Sequence, residues 1–156
     1  MISIETYLVC QIAFADRPKC WFHFINIINL NRYNVEIPTG KENNILVLDV
    51  DKKDDGIYEY NKYLEQYGEI KTLTIRTPNE GMHIIFTYKH SNQSIQYLID
   101  NMLTNSTKYR NKGLDIRTNG GYIVGPLSTV NNIEYIIIKD DEPIEMPETV
   151  IMWLLN

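Results

Sequence analysis

The stretch Ile45-Leu46-Val47-Leu48-Asp49-Val50-Asp51 carries the clearest pattern in the chain: an apolar run that gives way to two carboxylates two positions apart. Side chains alternate along a strand, so Asp49 and Asp51 share one face with Ile45 and Val47, while Leu46, Leu48 and Val50 take the other. Apolar residues on both faces predict a strand buried between two layers. Its acidic end must emerge at a rim or cleft, because unpaired charge is costly to bury.

Around this strand the patterns alternate between periods of two and of about 3.6. Residues 1–16 show weak helical spacing in Ile4, Tyr7, Leu8 and Ile12. Residues 21–30 are apolar and aromatic without a period, and His23 inside them reads as a core residue rather than a ligand. Residues 34–37 suggest a short strand, with a turn at Pro38-Thr39-Gly40. Asp54, Asp55 and Gly56 open a helix whose apolar positions are Ile57, Tyr60, Leu64 and Tyr67, with Gly68 as its stop. Residues 71–77 and 82–88 read as a hairpin about Pro78-Asn79-Glu80-Gly81. A loop of two or four residues places Thr77 opposite Met82 and Arg76 opposite His83, so Arg76 and His83 share a half-polar face. The other face is then the core face, with Leu73, Ile75, Met82, Ile84, Phe86 and Tyr88. Ser91 or Asn92 caps a second helix striped by Ile95, Leu98, Ile99, Met102 and Leu103. Residues 113–118 form a strand with Asp115 and Arg117 on one face. Asn119-Gly120 signals a hairpin in which residues 121–126 return. Residues 133–139 suggest another strand and residues 147–156 a closing helix. Strands and helices mix without strict alternation, which predicts an α+β domain with a mainly antiparallel sheet flanked by helices.

A chain of 156 residues, 44% hydrophobic and 22% charged, suits one domain over residues 1–156. Cys10 and Cys20 give neither a disulfide framework nor zinc spacing, which fits a reducing intracellular compartment. No signal peptide and no long apolar span is evident, so no membrane association is expected. The net charge of −5 argues against a protein that grips duplex DNA by a broad basic face. It leaves room for a nucleic-acid enzyme whose acids hold metal.

Paired carboxylates at i and i+2 on a rigid strand suit a hard divalent cation such as Mg²⁺; a strand that merely ends in solvated acids has the same pattern. Asp115 repeats the theme on a second strand. Arg76 beside His83 outlines an anion site, a pairing that also arises by structural accident. Lys108, Arg110 and Lys112 form a basic stretch open to phosphates or simply solvated. Gly40-Lys41 is no phosphate loop, since Val35 stands where that motif needs glycine.

Three blocks in order resemble the bifunctional primase–polymerase domain of the archaeo-eukaryotic primase superfamily. The first runs from Ile37-Pro38-Thr39-Gly40 through Leu48-Asp49-Val50-Asp51 and is similar to that family's glycine turn and D-x-D strand. The second is Thr77-Pro78-Asn79-Glu80-Gly81-Met82-His83-Ile84-Ile85-Phe86. The third is Leu114-Asp115-Ile116-Arg117-Thr118, followed by Asn119-Gly120-Gly121-Tyr122-Ile123-Val124-Gly125-Pro126-Leu127-Ser128. The matched region covers residues 34–128. Gly81 stands where the superfamily often has serine, and Glu80 where a second glycine is common. The resemblance implies a primase-like core with its active site in a cleft. It implies Asp49, Asp51 and Asp115 as catalytic ligands of Mg²⁺ or Mn²⁺, and His83 with Arg117 at the nucleotide's triphosphate. Arg76 joins them from the hairpin register. Lys108, Arg110 and Lys112 are the first candidates for nucleic-acid contact. The implied activity is template-directed nucleotidyl transfer on a single-stranded DNA template and primer, from deoxy- or ribonucleoside triphosphates, beside a replicative helicase. A non-catalytic nucleic-acid or nucleotide-binding module, and a metal-dependent phosphoesterase or nuclease, are the rival expectations.

Overall fold

The computed structural model describes residues 7–9, 34–105 and 113–156. Lys108, Arg110 and Lys112, and likewise Cys10, Cys20 and His23, lie outside the described residues. The elements in chain order begin with β1 (Tyr7–Val9), β2 (Asn34–Pro38), β3 (Ile45–Val50), α1 (Gly56–Tyr67), β4 (Thr74–Arg76) and β5 (Met82–Thr87). They continue with α2 (Gln93–Met102), β6 (Leu114–Arg117), β7 (Tyr122–Val124), β8 (Thr129–Val130) and β9 (Ile133–Glu134). The last are β10 (Ile136–Lys139), β11 (Ile144–Glu145) and α3 (Glu148–Leu155). The domain is α+β, as expected.

The larger sheet has the order β10-β4-β5-β3-β6, with β11 added parallel to β5. Its other pairings are antiparallel. β3 lies between β5 and β6, so both of its edges are hydrogen-bonded and both of its faces are covered. On one face Leu46, Leu48 and Val50 pack with Ile84, Phe86, Leu114 and Ile116 against the three described helices. Those helices contribute Tyr60 and Tyr63 from α1, Ile95 and Ile99 from α2, and Val150, Ile151 and Leu154 from α3. Truncating Leu48 or Phe86 to alanine would cost about 2–5 kcal/mol, the usual scale for a cavity in a closed core. On the other face Ile45 and Val47 cluster with Ile75 and Ile85 and with Val35, Ile37 and Ile123. The last three belong to a smaller sheet, β1-β2-β7. Two positions further along this second face stands Asp49.

The helices follow their predicted spans. Asn92 caps α2, its Oδ1 accepting from the amides of Ser94 and Ile95 at 2.9 and 3.4 Å. Gly68 ends α1, and its amide donates to the Leu64 carbonyl. The inward face of α1 is rotated from the predicted stripe: Glu59, Tyr60 and Tyr63 are buried, while Tyr67 is exposed.

Three expectations are corrected. Tyr7–Val9 is a strand parallel to β2, although the spacing there suggested a helix. Asn119-Gly120 is a turn, but β7 does not fold back on β6; it pairs with β2 of the smaller sheet. Polar contacts hold the turn in that direction. Thr39 Oγ1 donates to the Thr118 carbonyl at 2.7 Å, and Asn119 Oδ1 accepts from the Lys41 amide at 2.9 Å. Asn105 accepts from the Thr118 amide and donates to the Asn119 carbonyl.

The third correction is the β4–β5 register. Arg76 pairs with Met82 and Ile75 with His83, one residue away from the expected pairing. Thr77 donates its amide to the Gly81 carbonyl, so the loop has three residues, and Glu80 adopts a positive φ of 60°. A three-residue loop with its last residue left-handed is a standard hairpin solution. A one-residue slip flips every side chain. His83 therefore shares its face with Ile75 and Asp49, and exposed Arg76 lies on the opposite face.

Candidate active site

Register assembles the site. Asp49 of β3 is opposite His83 of β5 on one side and Asp115 of β6 on the other. Directly opposed residues share a face, so an imidazole and two carboxylates form one row across three strands. Arg117 lies two positions from Asp115 on that face, opposite Val47. Asp51 follows the end of β3, and its backbone amide continues the ladder to the Gly113 carbonyl at 2.7 Å.

Two glycines let neighbouring segments close on the acidic end of β3. A Cβ on Gly56 would stand 2.2 Å from the Gly113 carbonyl oxygen and 2.6 Å from that of Asp51. A Cβ on Gly81 would stand 2.5 Å from the Val50 carbonyl oxygen. The glycine that departs from a common serine is thus a requirement of this hairpin, which seats its turn directly on β3.

Arg117 ties the carboxylates together. Its Nη2 donates to Asp49 Oδ2 at 2.9 Å and to Asp115 Oδ2 at 3.3 Å, and its Nε donates to Asp49 Oδ2 at 3.3 Å. The Asp49 and Asp115 side chains are 13% and 12% exposed, and that of Arg117 is 33% exposed. Burial disfavours the guanidinium charge, but the hydrogen bond and charge of Asp49, with Asp115 and Asp51, raise its pKa further than burial lowers it. Burial raises the Asp51 carboxyl above its ordinary value, and the charges of Asp49, Asp115 and Asp54 push in the same direction.

His83 is 6% exposed. Its Nε2 stands 3.6 Å from Asp49 Oδ1, too far for a hydrogen bond, and its buried Nδ1 has no hydrogen-bond partner among the described residues. Burial lowers its pKa from 6.5 and Arg117 adds to the effect, while Asp49 opposes it. The imidazole is therefore a neutral donor at pH 7.

Among the described residues no three His, Cys, Asp or Glu side chains are already gathered as a metal cage. The donor set is nevertheless of the right kind. Asp49 and Asp115 offer hard oxygens from directly opposed positions, and Asp51 lies among carboxylates whose charge Arg117 offsets only in part. Arg117 is the group that holds the first two at present.

The structure places Asp49, Asp115, Arg117 and His83 together and puts Asp51 two positions beyond Asp49, just past the end of β3. It separates Arg76 from them, because Arg76 pairs with Met82 and so lies on the opposite face of the sheet. Two contributors escaped the sequence. The Tyr135 ring packs on His83 with centroids 5.8 Å apart, and only its place as an aromatic among the isoleucines of residues 133–138 marked it out. Lys52 forms an exposed ion pair with Glu80 and offsets the negative charge of that turn.

Residues 15–149 match the family model described as bifunctional DNA primase/polymerase, N-terminal. The chain belongs to this family. The match spans most of the chain and includes every residue of the row. No curated protein matches the chain. Among the described residues no helix is long and apolar enough to cross a membrane.

Proposed function

We propose that this primase–polymerase family member joins nucleotides on a single-stranded DNA template. The observation that carries the proposal is the register that sets Asp49 against both Asp115 and His83, in a chain whose family makes and extends primers. In the reaction a primer 3′-oxygen bonds to the α-phosphorus of a nucleoside triphosphate. The bond to pyrophosphate breaks, and the hydroxyl proton passes to solvent water.

Asp49, Asp51 and Asp115 would hold Mg²⁺ or Mn²⁺, which when bound favours the ionised 3′-oxygen and offsets charge on the phosphates. His83, neutral and walled by Tyr135, donates one hydrogen bond to a phosphate oxygen. Its burial fixes that direction before the nucleotide arrives. Arg117 offers a guanidinium fork that matches a phosphate. Primer, template and deoxy- or ribonucleoside triphosphate are the partners of the reaction, and a replicative helicase would supply the strand. A reducing intracellular setting suits the two cysteines.

Labelled primer–template with Mg²⁺ or Mn²⁺, with and without nucleotides, tests the proposal. Extension that depends on nucleotides supports it. Shortened primer would identify a nuclease, and binding without either product a non-catalytic module.

A further inference from the structure

We propose that Arg117 is a built-in counter-ion that occupies the carboxylate pair and must let go before a divalent ion can enter. The inference rests on Asp49 and Asp115 being the metal ligands.

Two of Arg117's donors, Nε and Nη2, converge on one oxygen, Asp49 Oδ2, at 3.3 and 2.9 Å. The same Nη2 reaches Asp115 Oδ2 at 3.3 Å. A hard cation needs such oxygens directly, at about 2.0–2.1 Å for Mg²⁺. Two of Arg117's donors fill the acceptor sites of Asp49 Oδ2, so an ion that takes Asp49 Oδ2 and Asp115 Oδ2 has to displace the guanidinium from them.

The strand geometry makes release inexpensive. Asp115 and Arg117 are two positions apart on β6, so Arg117 stays tethered beside the pair when its head swings away. One third of its side chain is already exposed, which opens a path to solvent, while both carboxylates remain largely covered. The bridge also undercompensates the site. One guanidinium faces Asp49, Asp115 and nearby Asp51, so exchange for a doubly charged ion lowers the excess negative charge. A released guanidinium is free to pair with a phosphate. Metal entry and capture of an anionic ligand by Arg117 are then linked, and each favours the other.

The test follows the guanidinium itself, apart from any activity. In protein labelled with ¹⁵N-arginine, the Arg117 Nε–H signal is assigned by its loss in Arg117→Lys. Before metal is added it should be protected from solvent exchange. Saturating Mg²⁺ should shift it and speed its exchange at least about tenfold. In parallel, Arg117→Gln should bind Mn²⁺ about tenfold tighter than the native chain by paramagnetic resonance titration, equivalent to about 1.4 kcal/mol. The native titration stands alone if that variant fails to fold. Backbone signals of Asp49 and Asp115 that respond to Mg²⁺ while Arg117 Nε–H stays protected would overturn the clamp and leave the metal site intact. No response from Asp49, Asp51 or Asp115 would overturn the metal reading and the clamp with it.

Discussion

Asp49 and Asp115 oppose each other in register across β3 and β6, and one guanidinium nitrogen of Arg117 reaches both, at 2.9 and 3.3 Å. Like charges at directly opposed positions repel, so the pair exists because a cation compensates it. In the proposed reaction that compensation passes to a metal ion.

Asp49→Asn and Asp115→Asn should therefore lose primer extension by a hundredfold or more, on the order of several kcal/mol of charge stabilisation. The fold should persist. Asp49→Asn weakens the Arg117 bridge but leaves Asp115 as a partner, so a stability loss of about 1–2 kcal/mol is expected, between the values for exposed and buried pairs. Extension assays and denaturant unfolding check the two halves separately. Near-native extension by either variant would exclude the residue from the chemistry.

Asp51 should behave in the opposite way. Burial, then Asp49, Asp115 and Asp54, raise its carboxyl above the ordinary 3.8, against a smaller pull from Arg117. The folded chain thus holds this proton more tightly than the unfolded chain. The penalty of its charge is absent below about 3.8, grows as the pH rises through the folded value, and is complete above it. Asp51→Asn should melt at a higher temperature than the native chain at pH 7, and the gap should narrow toward pH 4. Equal melting temperatures at pH 7 would show that Asp51 is not strained by its neighbours.

Much of this site was legible because it lies on a strand with a strict period of two. Ile45, Val47 and Asp49 alternate with Leu46, Leu48 and Val50, and Asp115 and Arg117 alternate with Leu114 and Ile116, so the faces follow from the order of residues alone. The helix caps at Asn92 and Gly68 were equally local. What escaped depends on contacts distant in sequence or on one backbone angle. The parallel pairing of β1 with β2 has no local signature. The direction of the Asn119-Gly120 turn is set by Thr39, Lys41 and Asn105. The β4–β5 register turned on Glu80 adopting a left-handed conformation, where a glycine would have announced the three-residue loop.

That register gives Gly81 a testable role. A Cβ there would meet the Val50 carbonyl oxygen at 2.5 Å, a backbone atom of the sheet's inner strand with little freedom to yield. Gly81→Ala should destabilise the domain by about 1–3 kcal/mol, the cost of overpacking a closed contact. Gly81→Ser should do the same. Chemical unfolding measures the loss. A neutral result would mean that the β4–β5 turn sits further from β3 than the register places it.

His83 supplies the last prediction. Burial lowers its pKa below 6.5, with Arg117 acting in the same sense and Asp49 against it. Its folded pKa is depressed, so the unfolded chain takes up this proton first as the pH falls. The stability this neutral imidazole contributes is complete above about 6.5 and is lost as the pH falls from there through the folded value. Thermal stability of the native chain should then drop between pH 7 and pH 5 more than that of His83→Gln, which has no such proton to take up. The same neutrality governs binding. A charged histidine would lose its hold on a triphosphate as the pH rises through 6.5, but a neutral donor keeps it. Nucleotide affinity of the native chain should stay level from pH 6.5 to pH 8. His83→Ala should weaken that affinity about tenfold at every pH in this range, the scale of one hydrogen bond to a charged acceptor. Calorimetric titration with a nucleoside triphosphate at three pH values decides the matter. An affinity that falls steeply above pH 6.5 in the native chain, and is flat in His83→Ala, would show that His83 acts as a cation after all.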